Sequence, residues 1–266
     1  MINSTKYNML YPSLLARIAA EEQTKNAKNH EKAVKTRLHQ MFGAYVQGSA
    51  HKKTTALLQT LTDGGDVTEI CAAIMVLHAS TKERLPHQAA FCEFVIKHTG
   101  MVETMADLGC GFSPFSIPYW QSCGCPISAC HAYDIDTRTR DLLNRFFTCL
   151  GLPAHAACAD LAVETPAENV DVALMCKLVP VLEAQRPGRG FELARLQNAK
   201  YLVITYPLKS LGGREKGMGK NYAAQFEKAW TQGALGHYAP VAGGEVGSEL
   251  VYVLAVSCTN LRRTGT

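Results

Sequence analysis

The chain has 266 residues, 47% of them hydrophobic and 19% charged, and a formal net charge of +4. A chain of this size can bury a sizeable core without disulfides or metals. No apolar run approaches the roughly 18 residues of a membrane span, and the first 25 residues lack the apolar segment of a secretory signal. We therefore predict a globular cytoplasmic protein and exclude the membrane and secreted classes.

The positive charge is concentrated in two stretches. Residues 1–60 contain nine Lys or Arg and three acidic residues, and residues 186–228 contain nine Lys or Arg and three Glu. Two basic regions on a near-neutral body favour a polyanionic partner. A solvated, lysine-rich surface explains the charge equally well.

The first hundred residues are predicted to be helical, with helices at 13–22, 53–61 and 67–77. A further helix is predicted by apolar residues that recur with a period of about 3.6; they are Val34, Leu38, Met41, Phe42 and Tyr45. The same segment carries a basic ridge at i, i+4, i+7 and i+11, formed by Lys28, Lys32, Lys35 and His39. Such a ridge suits a phosphate backbone.

After Gly100, short apolar runs alternate with helical segments. Strands are predicted at 103–108, 128–135, 155–160, 170–176 and 201–206, and helices at 137–150 and 179–198. A closing hairpin is predicted from strands at 237–241 and 248–256, with its turn at Gly243-Gly244. This alternation predicts an α/β fold, in which a Rossmann-like core with a mostly parallel sheet over residues 101–266 follows a helical subdomain over residues 1–100.

A glycine-rich turn follows the first predicted core strand, in the run Asp107-Leu108-Gly109-Cys110-Gly111. Glycines at a strand-to-helix turn let a ligand approach the backbone closely. A dinucleotide site would place a third glycine where Ser113 or Pro114 stands. The turn therefore favours a smaller ligand such as S-adenosylmethionine, or it is simply a tight turn.

Acidic residues end the next two predicted strands. Asp134 is placed to accept hydrogen bonds from ribose hydroxyls, and Asp160 from an adenine amine, with Leu161 covering the ring. Either aspartate could instead be a helix N-cap. Two acids after a Gly-x-Gly turn favour a nucleoside site.

Two features restrict the possible reactions and ligands. One is the segment after the fourth predicted strand, and the other is the set of cysteines. The run Met175 to Pro180 lacks the Asn/Asp-Pro-Pro-aromatic turn typical of exocyclic-amine methyltransferases. Cys176 does not follow a proline, as the nucleophile of cytosine-C5 enzymes does, so a buried strand cysteine is favoured. The cluster Cys123, Cys125 and Cys130 lacks the second ligand pair of a standard zinc site, and we predict no metal.

Several longer motifs are shared with one known family. They are TRLH at 36–39, GAYV at 43–46, HASTKERL at 78–85, KLVPVLE at 177–183, SLGGREKGM at 210–218 and NYAA at 221–224. With these motifs the chain resembles the aminoglycoside-resistance 16S rRNA guanine-N(7) methyltransferases of the Arm/Rmt type. HASTKERL and SLGGREKGM are long and specific, and the matching stretches span most of the chain.

The resemblance implies a class I methyltransferase core with a seven-stranded sheet, S-adenosylmethionine as cofactor, and an N-terminal helical extension that docks on the small ribosomal subunit. His78, Ala79, Ser80 and Arg84 would reach the methionine end, where the Arg84 fork would pair with the carboxylate. The other implied cofactor-binding residues are Gly109, Asp134, Asp160, Leu161, Cys176 and Gln185.

The implied target is guanine-1405 in 16S rRNA within the 30S subunit. Guanine N7 loses no proton when methylated, so no general base is expected and catalysis would rest on positioning. Lys177 and Glu183 would support the target base and the pocket. Tyr206 would stack on a flipped guanine, or it is an ordinary strand aromatic.

Further cations complete the predicted RNA surface. Arg37 lies within the N-terminal basic segment, and Lys209, Arg214 and Lys216 lie in a glycine-rich stretch that is either a lid ordered by RNA or a solvated loop. The sequence thus predicts a monomeric rRNA methyltransferase that confers aminoglycoside resistance. The alternatives are a methyltransferase with another RNA base or a small molecule as substrate, and a non-enzymatic RNA-binding protein.

Overall fold

The computed structural model describes residues 7–25, 29–43, 48–209 and 217–257. The helices are α1 (Pro12–Lys25), α2 (His30–Leu38), α3 (Ala50–Thr62), α4 (Val67–Met75), α5 (Ala79–Arg84), α6 (Gln88–Thr99), α7 (Ile117–Ser122), α8 (Thr137–Leu150), α9 (Leu178–Gln185), α10 (Arg189–Arg195) and α11 (Met218–Thr231). The strands are β1 (Thr104–Leu108), β2 (Ala129–Asp134), β3 (Ala154–Cys158), β4 (Val170–Cys176), β5 (Ala199–Pro207), β6 (Tyr238–Val246) and β7 (Glu249–Val256). A π-helical turn, His39–Gly43, follows α2.

The seven strands form one sheet in the order β3-β2-β1-β4-β5-β7-β6. Strands β1 to β5 are parallel, whereas β7 is antiparallel to both β5 and β6. The predicted α/β fold with a mostly parallel, seven-stranded sheet is therefore confirmed. The chain turns in opposite directions on leaving β1 and β4, and open sheets of this kind bind ligands at the carboxyl ends of such neighbours.

Local sequence explains why the central elements were predictable. Strand β4 reads as a nearly continuous apolar run because a central parallel strand is covered on both faces. Helix α8 begins after Asp136, whose carboxylate accepts a hydrogen bond from the Arg138 backbone N–H at 2.9 Å. It ends at Gly151, which adopts a left-handed conformation with φ 62°.

The helix predicted over 179–198 is wrong as a single element, because the structure divides it into α9 and α10. Pro187 has no backbone N–H for a helical hydrogen bond, and Gly188 has φ 84°. The Glu183 carboxylate accepts hydrogen bonds from the backbone N–H groups of Gly188 and Gly190. This side chain stabilises the break.

The closing hairpin is present, but its predicted turn is wrong. The chain reverses at Gly247, which has φ 58°, between the paired residues Val246 and Glu249. Gly243 lies inside β6 opposite Tyr252, and a Cβ on Gly243 would lie 3.0 Å from the Tyr252 ring. This glycine therefore makes room for an aromatic side chain rather than a turn.

Apolar residues form two large clusters, on opposite faces of the sheet. One contains α3, α4, α6 and α8, and the other contains α9, α10 and α11. From Val172 to Met175, alternate residues of β4 enter the two clusters, as the two-residue period of a strand requires. The predicted domain boundary at residue 100 lies between α6 and β1, and the division itself stays a prediction.

A third, smaller cluster belongs to the N-terminus. We call residues 7–25 and 29–43, which contain α1, α2 and the π-helical turn, the N-terminal hairpin. Its buried apolar residues are Tyr7, Leu10, Leu14, Ile18, Val34 and Leu38. The hairpin joins the sheet through a bridge between Leu10 and Asp136 and a backbone hydrogen bond from Tyr11 to Ile135. It therefore lies against the carboxyl end of β2, beside the expected ligand crevice.

Candidate functional site

A cleft opens at the carboxyl ends of β1 to β4, with an empty volume of about 980 Å³ when its open mouth is counted. Nine of the ten predicted cofactor-binding residues line it: His78, Ser80, Arg84, Gly109, Asp134, Asp160, Leu161, Cys176 and Gln185. Ala79 is not among the lining residues. The structure thus brings the predicted set together, whereas the role of each residue stays a prediction.

The glycine turn after β1 forms the floor of the cleft. Gly109 and Gly111 have φ values of 67° and 51°, which favour glycine over residues with a side chain. A Cβ on Gly111 would lie 2.9 Å from the His78 ring, and one on Gly109 would lie 2.8 Å from Leu178. Both positions therefore require glycine for conformation and for space.

Asp134 lies at the end of β2 and faces this turn. Its carboxylate accepts hydrogen bonds from the Gly111 N–H at 2.8 Å and the Asp136 N–H at 2.9 Å. Burial raises the pKa of Asp134 to about 6, although these N–H groups oppose the shift. Asp134 is consequently ionised at neutral pH and can accept further hydrogen bonds from hydroxyl groups.

A second carboxylate, which the sequence reasoning did not select, lies beneath the turn. Asp107 is buried at the end of β1, and burial raises its pKa to about 6. Ser113 and Arg84 oppose the shift, yet within the described ranges neither carboxylate oxygen has a partner with hydrogen-bond geometry. A buried acceptor of this kind attracts a cationic group. Its only signal in the sequence was an acid two residues before the first glycine.

Arg84 is already paired within the protein. Its Nε and Nη2 atoms donate to the two carboxylate oxygens of Glu249 at 2.8 and 2.9 Å, and both side chains are buried. Glu249 leaves the Nη1 donors and one Nη2 hydrogen for a ligand carboxylate, so the predicted fork with the ligand stays a prediction. Glu249 lies on β7, 165 residues from Arg84, so no sequence pattern signalled the pair.

Two side chains of the cleft are uncharged at neutral pH. Burial lowers the pKa of His78 to about 4, and nearby cationic groups contribute to the shift. Burial raises the pKa of the Cys176 thiol to about 12. Cys176 is therefore a thiol, as expected for a buried strand cysteine, and not an activated nucleophile.

The opposite end of the cleft is closed by the N-terminal hairpin. Leu14, Met41 and Phe42 of the hairpin line the cleft. Arg17 of α1 donates two hydrogen bonds to the Asp160 carboxylate, at 2.6 and 3.0 Å, and a third to the Gln185 side-chain oxygen at 3.1 Å. Arg17 was not predicted, because its partners lie 143 and 168 residues away.

The comparisons with known proteins agree with this geometry. Residues 3–253 match the family described as ribosomal RNA methyltransferase, FmrO. The chain belongs to this family. It is 33% identical over 259 residues to a 16S rRNA (guanine(1405)-N(7))-methyltransferase of Micromonospora echinospora, covering 94% of this chain and 92% of that protein. A Serratia marcescens protein with the same description is 32% identical, with 96% and 95% covered.

Solved structures of other methyltransferases share the FmrO-family fold seen here. The 16S rRNA methyltransferase RmtF, in complex with S-adenosyl-L-homocysteine, is 33% identical, and the match covers 96% of this chain and 95% of that chain with a TM-score of 0.84. The 16S rRNA methylase RmtB is 27% identical over the same shares, with a TM-score of 0.80. The resemblance to the Arm/Rmt type is therefore confirmed.

Of the three predicted catalytic residues of this FmrO-family chain, only Lys177 lines the cleft. Its ammonium donates to Glu83 at 2.7 Å and lies 3.5 Å from Glu249, and its backbone has φ 57°. Glu183 instead holds the break between α9 and α10.

Tyr206 is placed differently from the stacking prediction. It is fully buried in the cluster around β5, with its ring stacked on Tyr222 at a centroid distance of 5.0 Å. The alternative, an ordinary strand aromatic, is what the structure shows. The stacking role with guanine is wrong for this conformation.

The predicted RNA-binding cations separate into four groups. Lys32, Lys35 and His39 lie along one exposed groove on α2, which we call the α2 groove. The prediction for Arg37 needs correction, because this residue is paired within the hairpin: its Nη1 atom donates to Glu21 at 2.6 Å and to Glu22 at 3.1 Å. Lys209 is exposed after β5. Three predicted residues lie outside the described residues: Lys28, Arg214 and Lys216.

The remaining exclusions concern metals and membranes. Cys125 is buried, and its sulfur contacts the backbone of Val102. Within residues 7–25, 29–43, 48–209 and 217–257, no group of three or more potential ligands is arranged to hold a metal ion. None of the helices described in this FmrO-family chain is both long and apolar enough to cross a bilayer.

Proposed function

We propose that the chain is a 16S rRNA (guanine(1405)-N(7))-methyltransferase that uses S-adenosylmethionine and protects the ribosome against decoding-site aminoglycosides. One observation carries the proposal: the glycine turn, Asp134 and Asp160 converge on a single cleft. The proposal is supported by membership of an rRNA methyltransferase family and by relatives that are described as 16S rRNA (guanine(1405)-N(7))-methyltransferases. The substrate would be the 30S subunit, methylated by a monomeric enzyme in the cytoplasm.

The residues of the cleft suit S-adenosylmethionine. Asp134 offers ionised oxygens to ribose hydroxyls, and Asp160 with Leu161 offers an acceptor and an apolar surface to adenine. Asp107, buried beneath the glycine turn, would place a carboxylate behind the wall of the methionine end, where the cofactor carries its ammonium. When bound, the cofactor supplies a methyl group activated on a sulfonium.

The chain's own contribution to the chemistry is positioning. Guanine N7 attacks with a free lone pair and releases no proton, so no general base is required. The Lys177 ammonium, fixed by Glu83, is placed to orient the target base or its phosphate at the cleft. The neutral His78 ring packs on the glycine turn and keeps that wall of the site apolar and rigid.

The N-terminal hairpin would supply the docking surface, as part of a helical subdomain over residues 1–100. Lys32, Lys35 and His39 present a cationic groove that can follow a phosphate backbone without reading sequence. The same hairpin closes one end of the cleft. Docking on RNA would therefore place the cleft, held by the core over residues 101–266, beside its target.

The proposal is tested by expressing the chain in a susceptible bacterium, with Asp134→Ala as the matched inactive variant. We expect growth on gentamicin and kanamycin but not on apramycin, together with a primer-extension stop at guanine-1405 once borohydride and aniline have cleaved the RNA at 7-methylguanosine. The variant should abolish both. Resistance to apramycin would indicate a neighbouring adenine instead, and unmodified RNA with normal expression would contradict the proposal.

A biochemical assay separates the alternatives that remain. Purified 30S subunits, naked 16S rRNA and labelled S-adenosylmethionine are combined with the chain, and the labelled nucleoside is identified. We expect 7-methylguanosine from 30S subunits. A different labelled nucleoside would favour another RNA base, and cofactor-independent RNA binding without methylation would favour a non-enzymatic RNA-binding protein.

A further inference from the structure

The contact between Arg17 and Asp160 is the starting point. Asp160 is 2% exposed, and its carboxylate receives both Nε and Nη2 of Arg17 in a two-pronged ion pair. The Asp160 Oδ1 atom also accepts the Ala162 backbone N–H at 3.2 Å. A buried carboxylate is held in one orientation by such a fork, and loss of the fork leaves its charge uncompensated.

The same guanidinium reaches a second residue of the cleft. Arg17 Nη2 donates to the Gln185 side-chain oxygen, while the Gln185 amide nitrogen donates to the Val181 carbonyl within α9. Arg17 thus fixes the two polar side chains at the end of the cleft proposed for adenine. Each carboxylate oxygen has more than one lone pair, so Asp160 can still accept a hydrogen bond from a base.

Arg17 is also connected to α2, the helix that carries Lys32 and Lys35 of the α2 groove. Glu21 accepts from Arg17 Nη1 at 2.9 Å and from Arg37 Nη1 at 2.6 Å, so one carboxylate bridges α1 and α2. Burial opposes ionisation of Glu21, but these two guanidinium groups hold its pKa below the usual value. Ion pairs therefore run without a break from α2, which carries Lys32 and Lys35, to Asp160 in the cleft.

From this chain of contacts we infer that Arg17 is a positioning residue for the adenine end of the cofactor site, acting through Asp160 and Gln185. The inference rests on the proposed function for the identity of the cofactor. Because Arg17 belongs to the hairpin, the docked hairpin is the state that binds the cofactor well. RNA that binds the α2 groove favours the same state, and the two affinities must reinforce each other reciprocally.

The first test uses calorimetry with S-adenosylhomocysteine and full-length protein, without RNA. Arg17→Ala should weaken binding by about tenfold or more, since a buried carboxylate loses the fork that holds it. Arg17→Lys should be intermediate, because lysine keeps the charge but not the fork. Arg145→Ala, which removes an arginine bonded to Gln59 outside the cleft, is the matched control. Equal affinity of Arg17→Ala and wild type would overturn the inference.

A second ligand distinguishes positioning of Asp160 by Arg17 from a nonspecific destabilisation of the site. S-inosylhomocysteine has an oxygen in place of the adenine amine, so it cannot donate to Asp160. Wild type should prefer the adenine ligand, and Arg17→Ala should bring the two dissociation constants closer together by severalfold. An unchanged ratio, with both ligands weakened equally, would show a structural role and overturn the positioning role.

The coupling to RNA is measured with 30S subunits in the presence and absence of S-adenosylhomocysteine. Wild type should bind 30S more tightly with the ligand, and Arg17→Ala and Glu21→Gln should reduce this enhancement while changing ligand-free 30S binding by less than about twofold. An enhancement that persists in both variants would overturn the coupling.

Kinetics give an independent readout. Arg17→Ala should raise KM for S-adenosylmethionine and leave kcat near wild type at saturation. A wild-type chain that binds the cofactor but methylates no 16S rRNA would contradict the proposed function alone, because the calorimetric comparison needs no RNA.

Discussion

The N-terminal hairpin and helices α3, α4 and α6 are both helical and both precede the sheet in the sequence, yet they are attached to it differently. Helices α3, α4 and α6 share one apolar cluster with β1, β2 and β4. The hairpin has its own small cluster, against which Ile135 after β2 packs, and it is joined to the strand ends by polar contacts, among them Arg17 with Asp160 and Thr137 with the Met9 carbonyl.

This difference means that the hairpin can open, and binding can be lost, without unfolding of the core. Elements that share a core with the sheet should unfold together with it, whereas an element held by polar contacts can open locally at lower cost. Because the hairpin carries both the α2 groove and one wall of the cleft, its opening would affect two binding sites at once. The predictions below test the contrast, beginning with the largest effect.

Truncation of one buried isoleucine in each region should test the difference in attachment most strongly. Ile74 of α4 and Ile18 of α1 are both fully buried, in the shared cluster and in the hairpin cluster respectively. Ile74→Ala should lower the free energy of unfolding by about 2–5 kcal/mol in urea titrations. Ile18→Ala should lower it less, but should speed hydrogen exchange in α1 and α2 and weaken S-adenosylhomocysteine binding. Equal losses of global stability would place the hairpin in the cooperative core.

The pH dependence of cofactor affinity should sharpen the same contrast. Burial raises the pKa of Asp134 and of Asp107 to about 6, so both become protonated as the pH falls below that value. Calorimetry from pH 8 to pH 5 should show S-adenosylhomocysteine affinity falling below about pH 6, by at most about tenfold per pH unit for each carboxylate. His78 is neutral throughout, since its pKa is about 4.

Loss of the hairpin contact made by Arg17 should lower cofactor affinity by the same factor at every pH, and the shape of the pH dependence should not change. The Arg17 guanidinium stays charged over the whole range, so Arg17→Ala should weaken binding equally at each pH. Asp134→Asn should flatten the fall. The stability of the ligand-free protein should depend on pH in the opposite sense. A carboxylate whose pKa is higher in the folded than in the unfolded state lowers the free energy of unfolding as the pH rises from about 4 to 6. Affinity that is independent of pH would contradict both carboxylate assignments.

The smallest expected effect concerns the α2 groove. Replacing Lys32 and Lys35 together by alanine should weaken 30S binding severalfold and reduce the salt slope of log affinity by about 1–2. Binding of S-adenosylhomocysteine alone should not change. Lys200→Ala removes an exposed lysine that is paired with Asp171 on the sheet, and it serves as the control. An unchanged salt slope would remove the groove from the RNA interface.

The sequence predicted those parts of the molecule whose causes are local. Strand β4 and helix α8 were placed at their observed bounds because burial of a parallel strand and the Asp136 and Gly151 caps leave marks within a few residues. The residues at the strand ends that line the cleft were predictable for the same reason, since parallel strands bring their carboxyl ends to one edge.

The failures share a different cause. Gly243 was taken for a turn because a glycine selected for packing against Tyr252 looks identical in sequence to a turn glycine. Tyr206 was assigned to the site because no pattern shows how deeply a strand aromatic is covered. Arg17 and Glu249 were missed, since each acts on a partner more than a hundred residues away.

The pairing of Arg84 with Glu249 constrains the order in which an active enzyme can arise. Helix α5 and the glycine turn are synthesised early, but the carboxylate that fixes Arg84 belongs to the last strand. A nascent chain that has not yet exposed β7 holds Arg84 without its partner. The methionine end is therefore assembled only after β7 has been translated, however early the N-terminal helices fold.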